Sequence, residues 1–379
     1  VNSIQKFWTK IGASQFVWLL GGYEMKKIVY ATTSMVFLMA LCLALTFMPA
    51  AAQDENATGT ITVTDDRGKS MEIPYPCERI VFLVENAMNT MYAVEGADNI
   101  VGIGDIWMEE EKAPFFRAID PAFDQKVRIS KEGGMVNMEA LALADPQLVV
   151  LWSSDWDDEV TVAIEENLGV PTFGVFIDDL NDTLAQAEVF GRIIGKEERA
   201  QEVQDDMSQY ISKVTDVTSQ IPDEERPKVY WMWNDVLGTA GTESTANDLI
   251  YLAGGINLMQ VWDDEAASME HPTLNLETLV ELNPDVIYIW YNQNLDPEDV
   301  LTGSDFAGWK DINAVKNGQV YEITDPFVFD FHSPRLPLAL MLLAKNLQPE
   351  KFADLNLDEE VDNLFVDLYS VHYPGYAPA

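Results

Sequence analysis

From Glu78 onward the chain alternates short apolar runs with amphipathic stretches. Arg79-Ile80-Val81-Phe82-Leu83 is dense in β-branched and aromatic residues and predicts a buried strand. Met88 to Glu95 predicts a helix, and Ile100-Val101-Gly102-Ile103-Gly104 the next strand. This alternation predicts an α/β arrangement with helices packed on mostly parallel sheets. Leu184 to Ile194 carries apolar residues at helical spacing, and Lys196 to Gln220 continues beyond Gly195 with many charged positions. Pro222 and Pro227 close that region, and Lys228 to Trp233 opens a new strand. A helix over 196–220 would be roughly 37 Å long, a stiff strut rather than a flexible hinge.

An internal repeat frames this central region. Asn137-Met138-Glu139-Ala140-Leu141 leads through Asp145-Pro146 to Leu148-Val149-Val150-Leu151-Trp152, and Asn275-Leu276-Glu277-Thr278-Leu279 leads through Asn283-Pro284 to Val286-Ile287-Tyr288-Ile289-Trp290. Asn137/Asn275, Glu139/Glu277, Leu141/Leu279, Pro146/Pro284 and Trp152/Trp290 share one offset, 275 − 137 = 138 residues. The unit is an Asn-capped helix, a Pro break and a buried strand ending in Trp. Its recurrence predicts two α/β lobes of similar topology: residues 53–195, a bridging helix over 196–220, and residues 221–379. A chain of 379 residues exceeds what one core usually supports, which agrees.

The N-terminal region changes the picture of compartment. Met25-Lys26-Lys27 begins a positive segment, an apolar run spans Ile28 to Met48, and Pro49-Ala50-Ala51-Ala52 offers small residues for cleavage before Gln53. Residues 1–52 are expected to comprise an upstream extension and a signal peptide, with an uncleaved membrane anchor as the alternative. Either way the bulk of the chain is expected to be exported, to the periplasm or the cell surface. Leu41 before Cys42 does not fit a lipobox. Beyond residue 52 only Cys77 remains, which excludes an intramolecular disulfide and a thiolate zinc site in that portion. The triplets Asn56-Ala57-Thr58 and Asn181-Asp182-Thr183 match the glycosylation pattern, which also arises by chance.

Lys and Arg number 23 against 63 Asp and Glu, a formal net charge of −40. Without residues 1–52, which hold four Lys and one Glu, the balance is 19 − 62 = −43. Such a surface repels nucleic acid and anionic lipid, so neither is an expected partner. No nucleophile elbow, His-Glu-x-x-His motif or phosphate loop is present, and Gly102-Ile103-Gly104 lacks the third glycine of a dinucleotide site. Catalysis is therefore not expected, and no intrinsic cofactor either.

From Glu78 to Phe352 the chain resembles the periplasmic binding proteins of iron-siderophore, haem and cobalamin importers. The resemblance rests on Glu78-Arg79-Ile80-Val81, Gly133-Gly134-Met135-Val136-Asn137-Met138-Glu139, Ala253-Gly254-Gly255-Ile256-Asn257, Ala314-Val315-Lys316-Asn317-Gly318-Gln319-Val320-Tyr321 and Ser333-Pro334-Arg335. It implies two lobes joined by one backbone helix, a ligand cleft between them, and delivery to an ABC permease and its ATPase subunits. The implied ligand is an iron chelate, haem or a corrinoid. Molybdate or tungstate, or a free metal ion, is the alternative within the same fold, and a non-transport surface role a more distant one. The protein is expected to act as a monomer.

In such lobes ligands sit beyond the carboxyl ends of strands. That rule selects Glu85, Asn86, Trp107, Met108, Trp152 and Trp156 in the first lobe. In the second it selects Trp233, Asn234, His271, Trp290, Tyr291, Phe329, His332 and Arg335. Indole faces suit a flat chelate, His271 and His332 offer hydrogen bonds or metal ligation, and Arg335 could clamp an anionic group. The alternative for Arg335 is capping its own helix or pairing with Asp330. His271, His332, Glu85 and a second carboxylate are the residues from which a bare-metal site would be built. The resemblance further implies one permease-docking carboxylate per lobe: Glu277 in the second, and Asp158 or Glu159 in the first.

Overall fold

The computed structural model describes residues 59–104, 113–129, 135–153, 158–177, 179–233, 235–290, 295–323 and 325–373. The chain opens with an antiparallel hairpin, β1 (Gly59–Thr64) and β2 (Ser70–Tyr75). Arg67 fixes it to the first lobe. Its buried guanidinium pairs with Asp65 at 2.7 Å and donates to Thr161 Oγ1 and the Thr172 carbonyl.

The first lobe runs β3 (Ile80–Phe82), α1 (Glu85–Ala93), β4 (Ile100–Ile103), α2 (Ala113–Ile119), β5 (Val127–Arg128), α3 (Met138–Ala144), β6 (Leu148–Trp152), α4 (Glu159–Leu168), β7 (Thr172–Val175) and α5 (Leu180–Ile194). Its strands form a parallel sheet in the order β5-β4-β3-β6-β7. After α6 (Glu197–Thr218) the second lobe runs β8 (Lys228–Met232), α7 (Thr245–Leu252), β9 (Ile256–Asn257), α8 (Leu276–Leu282), β10 (Val286–Ile289), α9 (Pro297–Thr302), α10 (Asn313–Lys316), β11 (Val320–Glu322), α11 (Leu336–Leu347) and α12 (Leu357–Tyr369). This sheet is parallel in the order β11-β10-β8-β9. The expected α/β class with two mostly parallel sheets is the observed one.

The repeat closes into matching geometry. Asn137 and Asn275 both cap their helices, accepting from the backbone N–H of Ala140 and Thr278. Asp145 and Asn283, 138 residues apart, both end those helices in the left-handed region at φ 48° and 49°. Asn and Asp tolerate that conformation better than other non-glycine residues, because a short polar side chain can bond its own backbone. The chain then turns at proline and enters β6 or β10.

Strand periodicity distributes the core. On β8, Val229 and Trp231 face one cluster while Tyr230 and Met232 face another. On β3, Ile80 and Phe82 face inward and Val81 packs with Leu141, Val149 and Leu151 on the opposite face. The largest cluster is continuous across both lobes. It runs from Phe82 and Phe190, along the buried stripe Val203, Met207, Tyr210 and Val214 of α6, to Trp231 and Tyr288. The stripe recurs at three and four residues, so α6 buries one face and leaves its charged face in water. Its 22 residues make it about 33 Å long. Among the described residues no helix is long and apolar enough to cross a membrane. Residues 28–48 lie outside that description.

Candidate functional site

Both sheets reverse their strand order about a central pair. In the first, β3 leads to β4 on one side and the later β6 lies on the other. In the second, β8 leads to β9 and the later β10 lies opposite. A crevice opens at such a reversal, because the connections on its two sides leave in opposite directions. The residues at the carboxyl ends of these strands are Trp152 on β6, Trp233 just past β8 and Trp290 just past β10. All of them line one cavity of about 470 Å³.

Aromatic rings dominate its walls. Trp152 lies 5.6 Å from Phe176 and 5.9 Å from the His332 ring, centroid to centroid. Opposite, Trp233 stacks on His271 at 4.7 Å and 26°, and Trp290 lies 6.4 Å from Trp233 and 5.0 Å from Phe331. Trp152 keeps 42 % of its surface exposed, although it ends a strand whose other residues are buried. An indole held open at a cavity wall is available to a ligand; a structural plug would be covered.

The polar lining comes from the second lobe. Ser244, Thr245 and Ala246 contribute the cap and first turn of α7, with Ser244 accepting from Asn247 N–H. Thr245 Oγ1 donates to the Ile177 carbonyl at 3.2 Å, tying α7 to the first lobe beside the cavity. Glu270 Oε1 sits 3.4 Å from His271 Nε2, and Glu243 completes the rim. Burial holds the His332 imidazole below its ordinary value of 6.5; nearby Asp330 raises it and His271 lowers it further. His332 therefore faces the cavity as a neutral ring at pH 7, able to donate from one nitrogen and accept at the other.

The structure thus brings together Trp152, Trp233, His271, Trp290 and His332. Trp107, Met108, Trp156, Asn234 and Tyr291 lie outside the described residues. Arg335 is not in the lining. It is completely buried, 3.5 Å from Asp330 and 3.8 Å from Glu85, with its guanidinium over the Phe327 ring at 4.0 Å. Pairing with Asp330, the alternative to ligand clamping, is the arrangement observed. The reason lies in the start of α11. Pro337 and its apolar neighbours pull that helix into the core, and Arg335 goes in with it. Glu85 is thereby committed to Arg335, and Phe329 is buried in the shared core. Among the described residues no group of three or more His, Cys, Asp or Glu side chains is placed to hold a metal ion.

Phe176, Phe331, Glu243 and Glu270 were not singled out by the sequence. Phe331 adjoins His332 and Phe176 directly follows β7, so the strand-end rule would have found Phe176. Glu243 and Glu270 lie in irregular segments that no periodicity marks.

Among the proposed docking acids, Glu277 is exposed in the first turn of α8. Asp158 spends its carboxylate capping α4, accepting from Val160 N–H and Thr161 Oγ1 at 2.8 Å each, and those bonds hold it below its ordinary value against the opposing effect of burial. Glu159 beside it is exposed. The repeat partner of Glu277 is Glu139, also exposed and also in the first turn of its helix. Asn181 is buried within α5 and Thr183 is fully buried, so that glycosylation triplet is closed in the folded chain.

The sequence profile of the periplasmic binding proteins matches residues 80–326, and the chain belongs to that family. A molybdate-binding protein MolA of Haemophilus influenzae is 22% identical over 82% of this chain and 91% of its own length. A cobalamin-binding protein of Halobacterium salinarum is 24% identical over 62% of this chain and 59% of its own. The structure of Helicobacter pylori CeuE with Ni(II) bound superposes with a TM-score of 0.65 at 18% identity, covering 83% of this chain and 98% of that one. At such identities the structural likeness establishes the fold.

Proposed function

We propose that this protein is the extracytoplasmic solute-binding component of an ABC importer, capturing a bulky metal complex in the interlobe cavity and handing it to a permease. The observation that carries the reading is the convergence of Trp152, Trp233 and Trp290 on one cavity at the strand-order reversals of both sheets. A cavity of about 470 Å³ is large for a bare cation or a tetrahedral oxyanion and suits a chelate that presents apolar faces to indole rings. Family membership and the names of relatives that bind cobalamin or molybdate support a transported ligand.

Closure on the ligand is small, because the lobes share a continuous core along α6. Glu277 and Glu139, equivalent through the repeat, are the acids proposed to meet the permease, one from each lobe; Glu159 is the alternative in the first. Export of the chain agrees with the Met25-to-Ala52 segment.

Tryptophan fluorescence of residues 53–379, titrated with cobalamin, haem, ferric hydroxamates and molybdate, tests the reading. Saturable quenching by a chelate, weakened at least tenfold in Trp152→Ala, is expected. Saturation by molybdate alone would move the protein to the oxyanion branch of the fold.

A further inference from the structure

We infer that the cavity selects its ligand by charge, favouring cationic over neutral complexes and rejecting anionic ones, with Glu243 and Glu270 as the selecting residues. This rests on the reading of the protein as a binder of metal complexes, and adds the class of complex.

Among the described lining residues the carboxylates are those of Glu243 and Glu270, the latter 3.4 Å from the His271 ring, and no Lys or Arg is among them. Arg335, the cation that the strand-end rule offered as a clamp for an anion, is withdrawn into the core and faces Glu85 and Asp330. His332 is neutral at pH 7, so it adds no positive charge. One feature opposes this: the first turn of α7 borders the cavity, and a helix N-terminus carries about half a positive charge. Two carboxylates outweigh it, and Glu243 immediately precedes the cap, where it offsets the same dipole.

The two acids are also held together. Gly241 N–H donates to the Glu270 carbonyl at 2.9 Å and Thr242 N–H to the Ala267 carbonyl at 2.8 Å, clipping the segment that carries Glu243 to the segment that carries Glu270. Both carboxylates therefore sit on one rim, on the second-lobe side of the cavity. The Trp233 and Trp290 faces near that rim have negative π-faces, which attract a cationic group further. A net charge of −40 adds a long-range field of the same sign, which slows the approach of anions at low salt.

Matched ligand pairs differing by one charge test this at constant shape: aquacobalamin against cyanocobalamin, and ferrioxamine B against its N-acetyl derivative, with ferric enterobactin as the anionic case. Fluorescence titrations use residues 53–379 and the Glu243→Gln/Glu270→Gln double variant, at low and at 0.5 M salt. The expected result is that, in whichever pair binds, the cationic member binds at least fivefold tighter. That preference falls below twofold in the double variant and is reduced by salt, and ferric enterobactin does not saturate. Equal affinity within the binding pair, a preference that survives the double substitution, or tight binding of ferric enterobactin would overturn charge selection while leaving the metal-complex reading intact. Failure of every complex to bind would remove both. Circular dichroism of the double variant, expected to match the parent because both acids are exposed on the rim, separates lost selection from lost fold.

Discussion

Arg335 Nη2 lies 3.8 Å from Glu85 Oε1, joining the start of α11 in the second lobe to the start of α1 in the first. The arginine is wholly buried and none of its side-chain nitrogens has a hydrogen bond; its charge is met by Glu85, Asp330 and the face of Phe327. Tyr369 above it is also buried without a hydrogen bond for its hydroxyl, and burial pushes that phenol up to about 12. Removing a carboxylate leaves a buried cation under-compensated, whereas removing the arginine leaves two acids that keep 18% and 17% of their side-chain surface in water. Glu85→Ala is therefore expected to cost about 2–3 kcal/mol and Arg335→Met about 1 kcal/mol. Urea denaturation of both variants checks the order, and a larger loss for Arg335→Met would contradict the account.

Stability should depend on pH through His332. Its folded-state value is depressed, so the unfolded chain binds the proton more readily. The stabilisation is fully present above 6.5, the ordinary value, and is lost as pH falls from there toward the folded value. Compared with His332→Gln, the parent protein should lose stability between pH 6.5 and 5, with the difference constant above pH 7.5. Thermal melts across that range measure it; a gap that stays flat would show that the ring is not desolvated.

Gly241 admits no side chain. A Cβ there would lie 1.7 Å from the Met269 carbonyl oxygen and 2.9 Å from that of Ala267, both backbone atoms that cannot swing away. Gly241→Ala should cost about 2 kcal/mol or more by overpacking. It should also weaken ligand binding, since the clash pries the segment carrying Glu243 from the one carrying Glu270. Unchanged affinity in a destabilised variant would separate the rim from the turn beneath it.

Charge reversal at the repeat-related acids should uncouple binding from transport. Glu139→Lys and Glu277→Lys, both exposed first-turn positions, are expected to leave stability within about 0.5 kcal/mol and ligand affinity unchanged. Uptake through the cognate permease in reconstituted vesicles should fall at least tenfold in each. If Glu159→Lys, and not Glu139→Lys, abolishes uptake, the first-lobe contact lies on α4.

Much of this architecture was legible in residue order. The 138-residue offset located both Asn caps and the two strands that deliver Trp152 and Trp290; the left-handed helix ends at Asp145 and Asn283 emerged only from the structure. It also held the pairing of Glu139 with Glu277, a first-lobe acid distinct from the Asp158 or Glu159 that the resemblance implied. Strand-end reasoning found the indoles because periodicity marks where a strand stops. It misplaced Arg335, whose position depends on how far the apolar start of α11 sinks into the core, a tertiary effect with no local signature. The carboxylates of the rim escaped notice because each lies in a turn, and their convergence depends on backbone bonds between segments nearly thirty residues apart.

Phe115, in α2 of the first lobe, sets its ring against Phe327, Phe365, Tyr369 and Tyr373, the last three close to the carboxyl end of the described chain. The tail thus serves as a rivet holding the two halves from behind. Shortening the chain before Leu364 would strip that rivet and expose a sticky aromatic socket, so trimmed versions should clump where the full chain stays dispersed.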